Sequence, residues 1–324
     1  MFGLTFLTAT SKTTTHRVVP FRMGNLGIAL AGYLAGGETS SARQDYIDKI
    51  AFSADTKTTL SATLTSAIVE AAGFANSGVA GYVAGGFDGA FHSRIDKVAL
   101  PTDIKSTLSA TLTTSRMRLA GFANSGVAGY AAGGLNSSIN PLSGIDKIAF
   151  SADTKTTLSA TLTTARETPS GFANSGVAGY AAGGEDSGGY LSGIDKIAFS
   201  ADTKTTLSAT LTSARQRLAG FANSGVAGYA AGGYSGTRIS GIDKVAFSAD
   251  TKTTLSATLT TAVSSLAGFA NSGVAGYAAG GATSGGRVSG IDKIAFSADT
   301  KTTLSATLTA AIDNLSGFSD SGTL

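Results

Sequence analysis

The stretch Gly121-Phe122-Ala123-Asn124-Ser125-Gly126-Val127-Ala128-Gly129-Tyr130-Ala131-Ala132-Gly133-Gly134 decides the fold. Asn124-Ser125-Gly126 is a hairpin-type turn cluster between two short runs of small and aromatic residues. The run from Val127 to Ala132 suits a strand, and Gly133-Gly134 lets it end in a tight turn. Further on, Ile145 to Phe150 forms another apolar run, and Ser151 to Thr156 reads as a turn. Leu158, Ala160 and Leu162 then alternate with Ser159, Thr161 and Thr163, which is strand periodicity. The expectation is four short strands, A to D, with no sustained apolar 3.6-residue period.

The same unit recurs. Gly-Tyr-x-Ala-Gly-Gly places Tyr33, Tyr82, Tyr130, Tyr180, Tyr229 and Tyr277; Gly-Phe-x-x-Ser-Gly places Phe74, Phe122, Phe172, Phe221, Phe269 and Phe318. Ile-Asp-Lys begins at Ile47, Ile95, Ile145, Ile194, Ile242 and Ile291, in steps of 48 to 50 residues. A period of this length means a solenoid, an array or a propeller. Four antiparallel strands repeated six times give an all-β, six-bladed β-propeller. Ala and Gly are expected on the inner strands, where blades converge, and Tyr and Phe in the wider outer gaps. A linear stack needs polar caps, and the chain shows no capping repeat. The first unit lacks a strand A, whose copy stands at Ser316 to Gly322. This C-terminal strand is expected to complete the first blade and cover its edge. The predicted organisation is an arm over 1–30 and a propeller over 31–324.

At Tyr130-Ala131-Ala132-Gly133-Gly134 the chain resembles kelch-type propellers, which have Tyr-x-x-Gly-Gly at the end of strand B. Arg116, Arg166 and Arg215 stand where kelch repeats often carry an arginine after strand D. The resemblance covers about 290 residues. It departs where Leu replaces the kelch Trp in every unit and where three units lack the arginine. The near-identical units are also similar to repeat proteins of tailed bacteriophages and aquatic bacteria, which implies a virion or cell-surface part. The di-glycine repeat speaks for the fold and is nearly silent on function.

Composition removes several chemistries. The chain has no Cys, which excludes disulfides and Cys-built metal sites, and only two His, His16 and His92. No cofactor or metal is expected. His92 with Asp88 and Ser93 lies in one loop, without the supporting shell of a catalytic triad. No calcium loop or phosphate-binding loop occurs, and no enzyme activity is expected. No run of 18 apolar residues is present, so membrane insertion is not expected.

Comparison of the six units separates two kinds of segment. The A–B turn Ala-Asn-Ser-Gly and the C–D turn Ser-Ala-Asp-Thr-Lys-Thr are almost fixed. The B–C loops and D–A connections vary, and an antiparallel blade delivers both to one end. Loops on a rigid scaffold commonly carry binding. Nine of the 11 Arg lie in the variable segments, together with eight acidic residues. That near-balance does not suit a nucleic-acid surface. Arginine mixed with aromatics suits contact with protein or glycan. The candidate partner-binding residues are Tyr46, Phe87, Phe91, Arg116, Arg118, Tyr190, Arg217, Tyr234, Arg238 and Arg287. The twelve framework Asp each have a Lys one or two residues away and read as structural.

The arm supplies Phe2, Leu4, Phe6, Leu7, Val18, Val19 and Phe21 among Thr and Ser, the composition of a docking strand added to a neighbouring subunit. The functional expectation is a non-enzymatic structural or adhesive module of a phage particle, placed in the virion. The alternative is a secreted or surface lectin that binds glycan.

Overall fold

The computed structural model describes residues 30–320. Each repeat folds as the Gly/Ala-rich strands dictate, with a hairpin at Asn-Ser-Gly and a second turn at the paired glycines. In the third blade strand A is Ala120–Asn124, strand B Ala128–Ala132, strand C Ile145–Ala149 and strand D Thr154–Thr157. Gly133 and Gly134 have φ of 69° and 106°, a left-handed pair that no side-chain-bearing residue adopts cheaply. The described residues form six such four-stranded antiparallel sheets, the fold expected. Ser316–Ser319 pairs with Ala31–Ala35, in the register Tyr33 to Phe318, and completes the first blade. The chain is a six-bladed β-propeller closed by its C-terminal strand. The arm residues Phe2, Leu4, Phe6, Leu7, Val18, Val19 and Phe21 lie outside the described residues, as do residues 321–324.

Strand D is not where the alternation of Leu158 to Thr163 put it. The ladder partner of strand C is Thr154–Thr157, with Asp146 opposite Thr157. Asp153 adopts φ 51°, which shortens the turn and starts the strand early. This outer strand faces water and holds no apolar residue, so no hydrophobic period marks it. The Leu-Ser-Ala-Thr-Leu segment is extended but outside the ladder. Its Leu158 and Leu162 amides donate to the carbonyls of Ile145 and Ser143, and Leu162 is buried.

Blades pack through stacked rings. Phe122 and Tyr130 stack with centroids 5.3 Å apart, and Phe199 of the next blade stacks on Tyr130 at 5.1 Å. The aromatic layer therefore begins on the innermost strand, not only in the outer gaps. A Cβ on Gly179 would lie 2.0 Å from the Phe122 ring, so glycine in strand B makes room for the neighbour's phenylalanine. At the boundary of the first and second blades Leu100 replaces the third ring, leaving the pair Tyr33–Phe318 at 5.1 Å.

The framework Asp and Lys do not pair within their own segments. Lys97 reaches Asp153 of the next blade at 2.6 Å, and the Tyr82 hydroxyl donates to the same carboxylate at 3.2 Å. The Asp of Ile-Asp-Lys bonds elsewhere. Asp146, 1% exposed, accepts from the Thr113 amide and hydroxyl of the preceding blade and from the Thr157 hydroxyl. Burial alone would raise the Asp146 carboxyl, and these bonds with the Arg116 charge hold it below the usual range. Both joints recur at the ring closure, where Lys293 and Tyr277 reach Asp55 and Thr309 reaches Asp48.

The closing strand carries one departure. Asn76, Asn124, Asn174, Asn223 and Asn271 end strand A in five blades, and Asp320 stands there in the first. Its Oδ1 accepts from the Ala31 amide at 2.8 Å. Burial pushes the Asp320 carboxyl up to about 6, against the lowering by the Ala31 amide and Lys49 and with the charge of Asp103 adding. The folded chain thus binds this proton more tightly than the unfolded chain, whose Asp titrates near 3.9. Stability from this group rises as pH falls through 6 and levels off below about 4. Asp320→Asn is expected to be the more stable chain at pH 8 by on the order of 2–3 kcal/mol, with the gap closing by pH 4. Denaturant melts across that range check it; parallel pH profiles for the two chains would exclude the assignment.

Candidate functional site

The fixed and variable segments separate onto opposite faces for a hydrogen-bonding reason. On the face of the A–B turns, side chains tie each blade to the next. The Ser77, Ser125 and Ser175 amides donate to the hydroxyls of Ser125, Ser175 and Ser224 at 3.0–3.1 Å. The Gly126, Gly176 and Gly225 amides donate to the Oδ1 atoms of Asn76, Asn124 and Asn174, each at 2.9 Å. A change at Asn or Ser breaks a bond between blades, so Ala-Asn-Ser-Gly cannot drift.

On the opposite face a ring of backbone bonds runs from blade to blade. The Glu70, Arg118, Thr168, Arg217, Ser265 and Asn314 amides each donate to the carbonyl of the corresponding residue in the preceding blade, at 2.7–3.3 Å. The six bonds close into a ring around the channel axis, with Glu70 donating to Asn314. All six residues have φ between 52° and 61°. Left-handed backbone costs a residue with a Cβ about 1–2 kcal/mol, and β-branched Thr168 is the least suited. The ring accepts any side chain that tolerates this conformation. It encircles a small mouth of about 100 Å³, floored by Leu119, Pro169, Leu218, Leu266 and Leu315.

Charges at the mouth are partly matched. Arg118 Nε lies 2.9 Å from both carboxylate oxygens of Glu70, and its Nη1 lies 2.7 Å from Glu167 Oε2. Thr168 donates to Gln216 Oε1 at 2.9 Å. The Arg217 Nε is buried with no hydrogen-bond partner among the described residues.

The ten residues singled out from sequence do not form one site. Arg118 and Arg217 meet at the channel mouth. Phe87 and Phe91 pack edge-on at 5.3 Å, with the Arg43 guanidinium 4.9 Å above Phe87. Tyr190 and Tyr234 pack edge-on at 5.9 Å across the fourth and fifth blades, and Arg238 bridges Tyr234 within its loop. Arg287 ties the last blade to the first through Asp313 at 2.8 Å and Glu38 at 3.5 Å. Two residues leave the set. Arg116 is 3% exposed, held by Asp146 at 2.9 Å and by three backbone carbonyls, because the gap between blades needs a filler. Tyr46 is half-buried beside Ile312 and Leu315, and burial next to Asp48 pushes its phenol up to about 12.

The loop histidine pairs with the carboxylate of its own loop, and the serine that joins them comes from another segment. His92 Nε2 lies 2.7 Å from Asp88 Oδ2, and the hydroxyl reaching that carboxylate is Ser66, which donates to Asp88 at 2.8 Å. Burial would raise the Asp88 carboxyl, but bonds from Ser66, His92 and the Ala90 amide bring it down to about 2. The ring also contains Thr168, Ser265 and Asn314, which stand outside those ten residues. Their signal was position alone, three residues before the Gly-Phe of each strand A.

Fold and face together define a closed propeller with a side-chain-locked face and a backbone-locked face. The sequence matches no protein-family model and no curated protein.

Proposed function

We propose that this propeller is a non-enzymatic recognition and assembly module that contacts its partner through the backbone-locked face. The observation that carries the reading is the ring of six left-handed residues. A strained, invariant backbone bearing five different residue types supports a surface shaped for contact, since strain held by surrounding structure clusters at functional sites. The kelch-like di-glycine repeats and the phage-like style of the units support placement in a particle of the tailed-phage type, as a structural or adhesive part. Within this proposal the arm, residues 1–30, docks on a neighbouring subunit by strand addition.

The test replaces Glu70, Arg118 and Arg217 together by Ala and follows co-sedimentation with particles from the native source. The variant is expected to melt within about 5 °C of the parent, because every bond of the ring runs from amide to carbonyl and survives the change of side chain. Its co-sedimentation should fall at least tenfold on the order of a few kcal/mol of lost contact. Retained co-sedimentation rules out the mouth as the contact, and loss only on deleting residues 2–24 assigns the contact to the arm. Recovery of the parent as free protein, together with a positive glycan array, would transfer the reading to a surface lectin.

A further inference from the structure

Among the described residues, three of the six blade boundaries are plugged by a buried arginine at the start of the D–A connection. Arg116, Arg166 and Arg215 place Nη2 at 2.9, 3.1 and 3.1 Å from Asp146, Asp195 and Asp243. Backbone carbonyls complete each cradle, those of Ala131, Gly133 and Gly144 around Arg116. Two boundaries fill the same space differently. Ile68 and Ile312 replace the arginine, and the adjoining Ala and Gly positions grow to Val83 and Arg94 in one and to Leu34 and Tyr46 in the other.

The boundary of the fifth and sixth blades has neither solution. Val263 stands at the arginine position, while Ala278 and Gly290 keep the small residues of the arginine-bearing blades. A cavity of about 470 Å³ results, lined by Val263, Ala278, Gly280, Gly290 and Asp292. That size falls within the roughly 300–1,000 Å³ of small-molecule sites. The cavity opens to water past exposed Thr261 and Thr307. Asp292 is 8% exposed, against 0–1% for the other five framework Asp of Ile-Asp-Lys.

Asp292 is held as its counterparts are. Its Oδ2 accepts from the Thr260 amide at 2.7 Å, and its Oδ1 accepts from the Thr260 and Thr303 hydroxyls at 2.7 Å each. In the third blade Oδ2 of Asp146 carries the matching amide bond and a second one, from Arg116. No described residue donates that second bond to Asp292. The cations nearby are committed or distant: Arg287 is held by Asp313 and Glu38, and Lys301 stands 3.8 Å from Oδ1.

We infer that this cavity is a guanidinium-binding site, taking the head group of an arginine-containing peptide or a free guanidino compound. Asp292 Oδ2 and the carbonyls of Ala278, Gly280 and Gly290 form the cradle that holds an intrinsic guanidinium in the sister blades. Its planar fork of donors matches several acceptors at once, which an ammonium does not. The inference stands apart from the recognition reading, since it uses none of the six ring residues.

Calorimetric titration of the full chain tests it with methylguanidinium, the tripeptide Gly-Arg-Gly, and methylammonium and Gly-Lys-Gly as controls. A guanidinium probe should bind at least ten times more tightly than its ammonium counterpart. Asp292→Asn should weaken binding at least tenfold. Val263→Arg should abolish binding and raise the melting temperature, because its own side chain enters the cradle; this variant keeps Asp292 and so remains decisive if Asp292→Asn unfolds. Binding of the peptide alone assigns a protein ligand, and binding of methylguanidinium alone assigns a small molecule. Absence of binding by both, equal binding of the lysine peptide, or unchanged binding in Val263→Arg overturns the inference.

Discussion

A chain ending at Leu315 should melt at least ~10 °C below the full chain and associate in a concentration-dependent way. The deleted strand contributes Phe318, fully buried and stacked on Tyr33 at 5.1 Å. Losing a buried Phe side chain alone costs about 3–5 kcal/mol. The deletion also strips one of the two ladders from Ala31–Ala35 and removes Gly317 from the ring of inner strands. An unpaired inner edge is then open to strands of other copies. Phe318→Ala separates the two effects: it should lower the melting temperature without promoting association. Calorimetry and sedimentation of both variants measure this, and a truncated chain as stable and as dispersed as the parent would show that the C-terminal strand does not hold the disc closed.

The second large effect is expected at the axis. A Cβ on Gly121 would sit 2.1 Å from the carbonyl oxygen of Gly73, and the equivalent glycines of the other blades meet the same contact at 2.0–2.2 Å. The obstacle is backbone, so no side chain can rotate away. Widening one boundary of a closed ring forces the others to tilt. Overpacking usually costs about 1–3 kcal/mol, and Gly121→Ala should reach or exceed the upper end. Gly144→Ala is the control, because nothing lies within 4 Å of its added methyl and its backbone is not left-handed. Similar melting temperatures for the two variants would contradict the steric account.

Tyr33 to Tyr277 and Phe74 to Phe318 fall in fixed order, and strand number, blade count and closure follow from that arithmetic. The outer strand was harder, since Thr154-Lys155-Thr156-Thr157 pairs only on one side and shows water every side chain but the half-buried Lys155. Alternation at Leu158 to Leu162 marked real burial but not a ladder. Lys97 and Asp96 are neighbours in sequence, yet strand pleating sends them to opposite faces and hence to different blades. Arg116 looked like a surface residue because arginine usually is one. Only the cradle of carbonyls behind Asp146 shows why it is buried. The channel mouth depends on φ at Arg118 and Thr168, and these residue types give no notice of left-handed backbone.

The two faces of the disc differ in what a mutation there risks. A change at Ser125 removes the hydroxyl that receives the Ser77 amide, and a change at Asn124 removes the oxygen that receives the Gly176 amide, so a bond between blades goes with either side chain. A change at Ser265 or Asn314 leaves every bond of its ring in place, because those bonds are amide to carbonyl. Folding therefore constrains side chains on the first face and leaves those of the ring free to change. On the proposed reading, the means of holding together and the means of changing partners lie on separate surfaces, so that revising the second puts little at stake in the first.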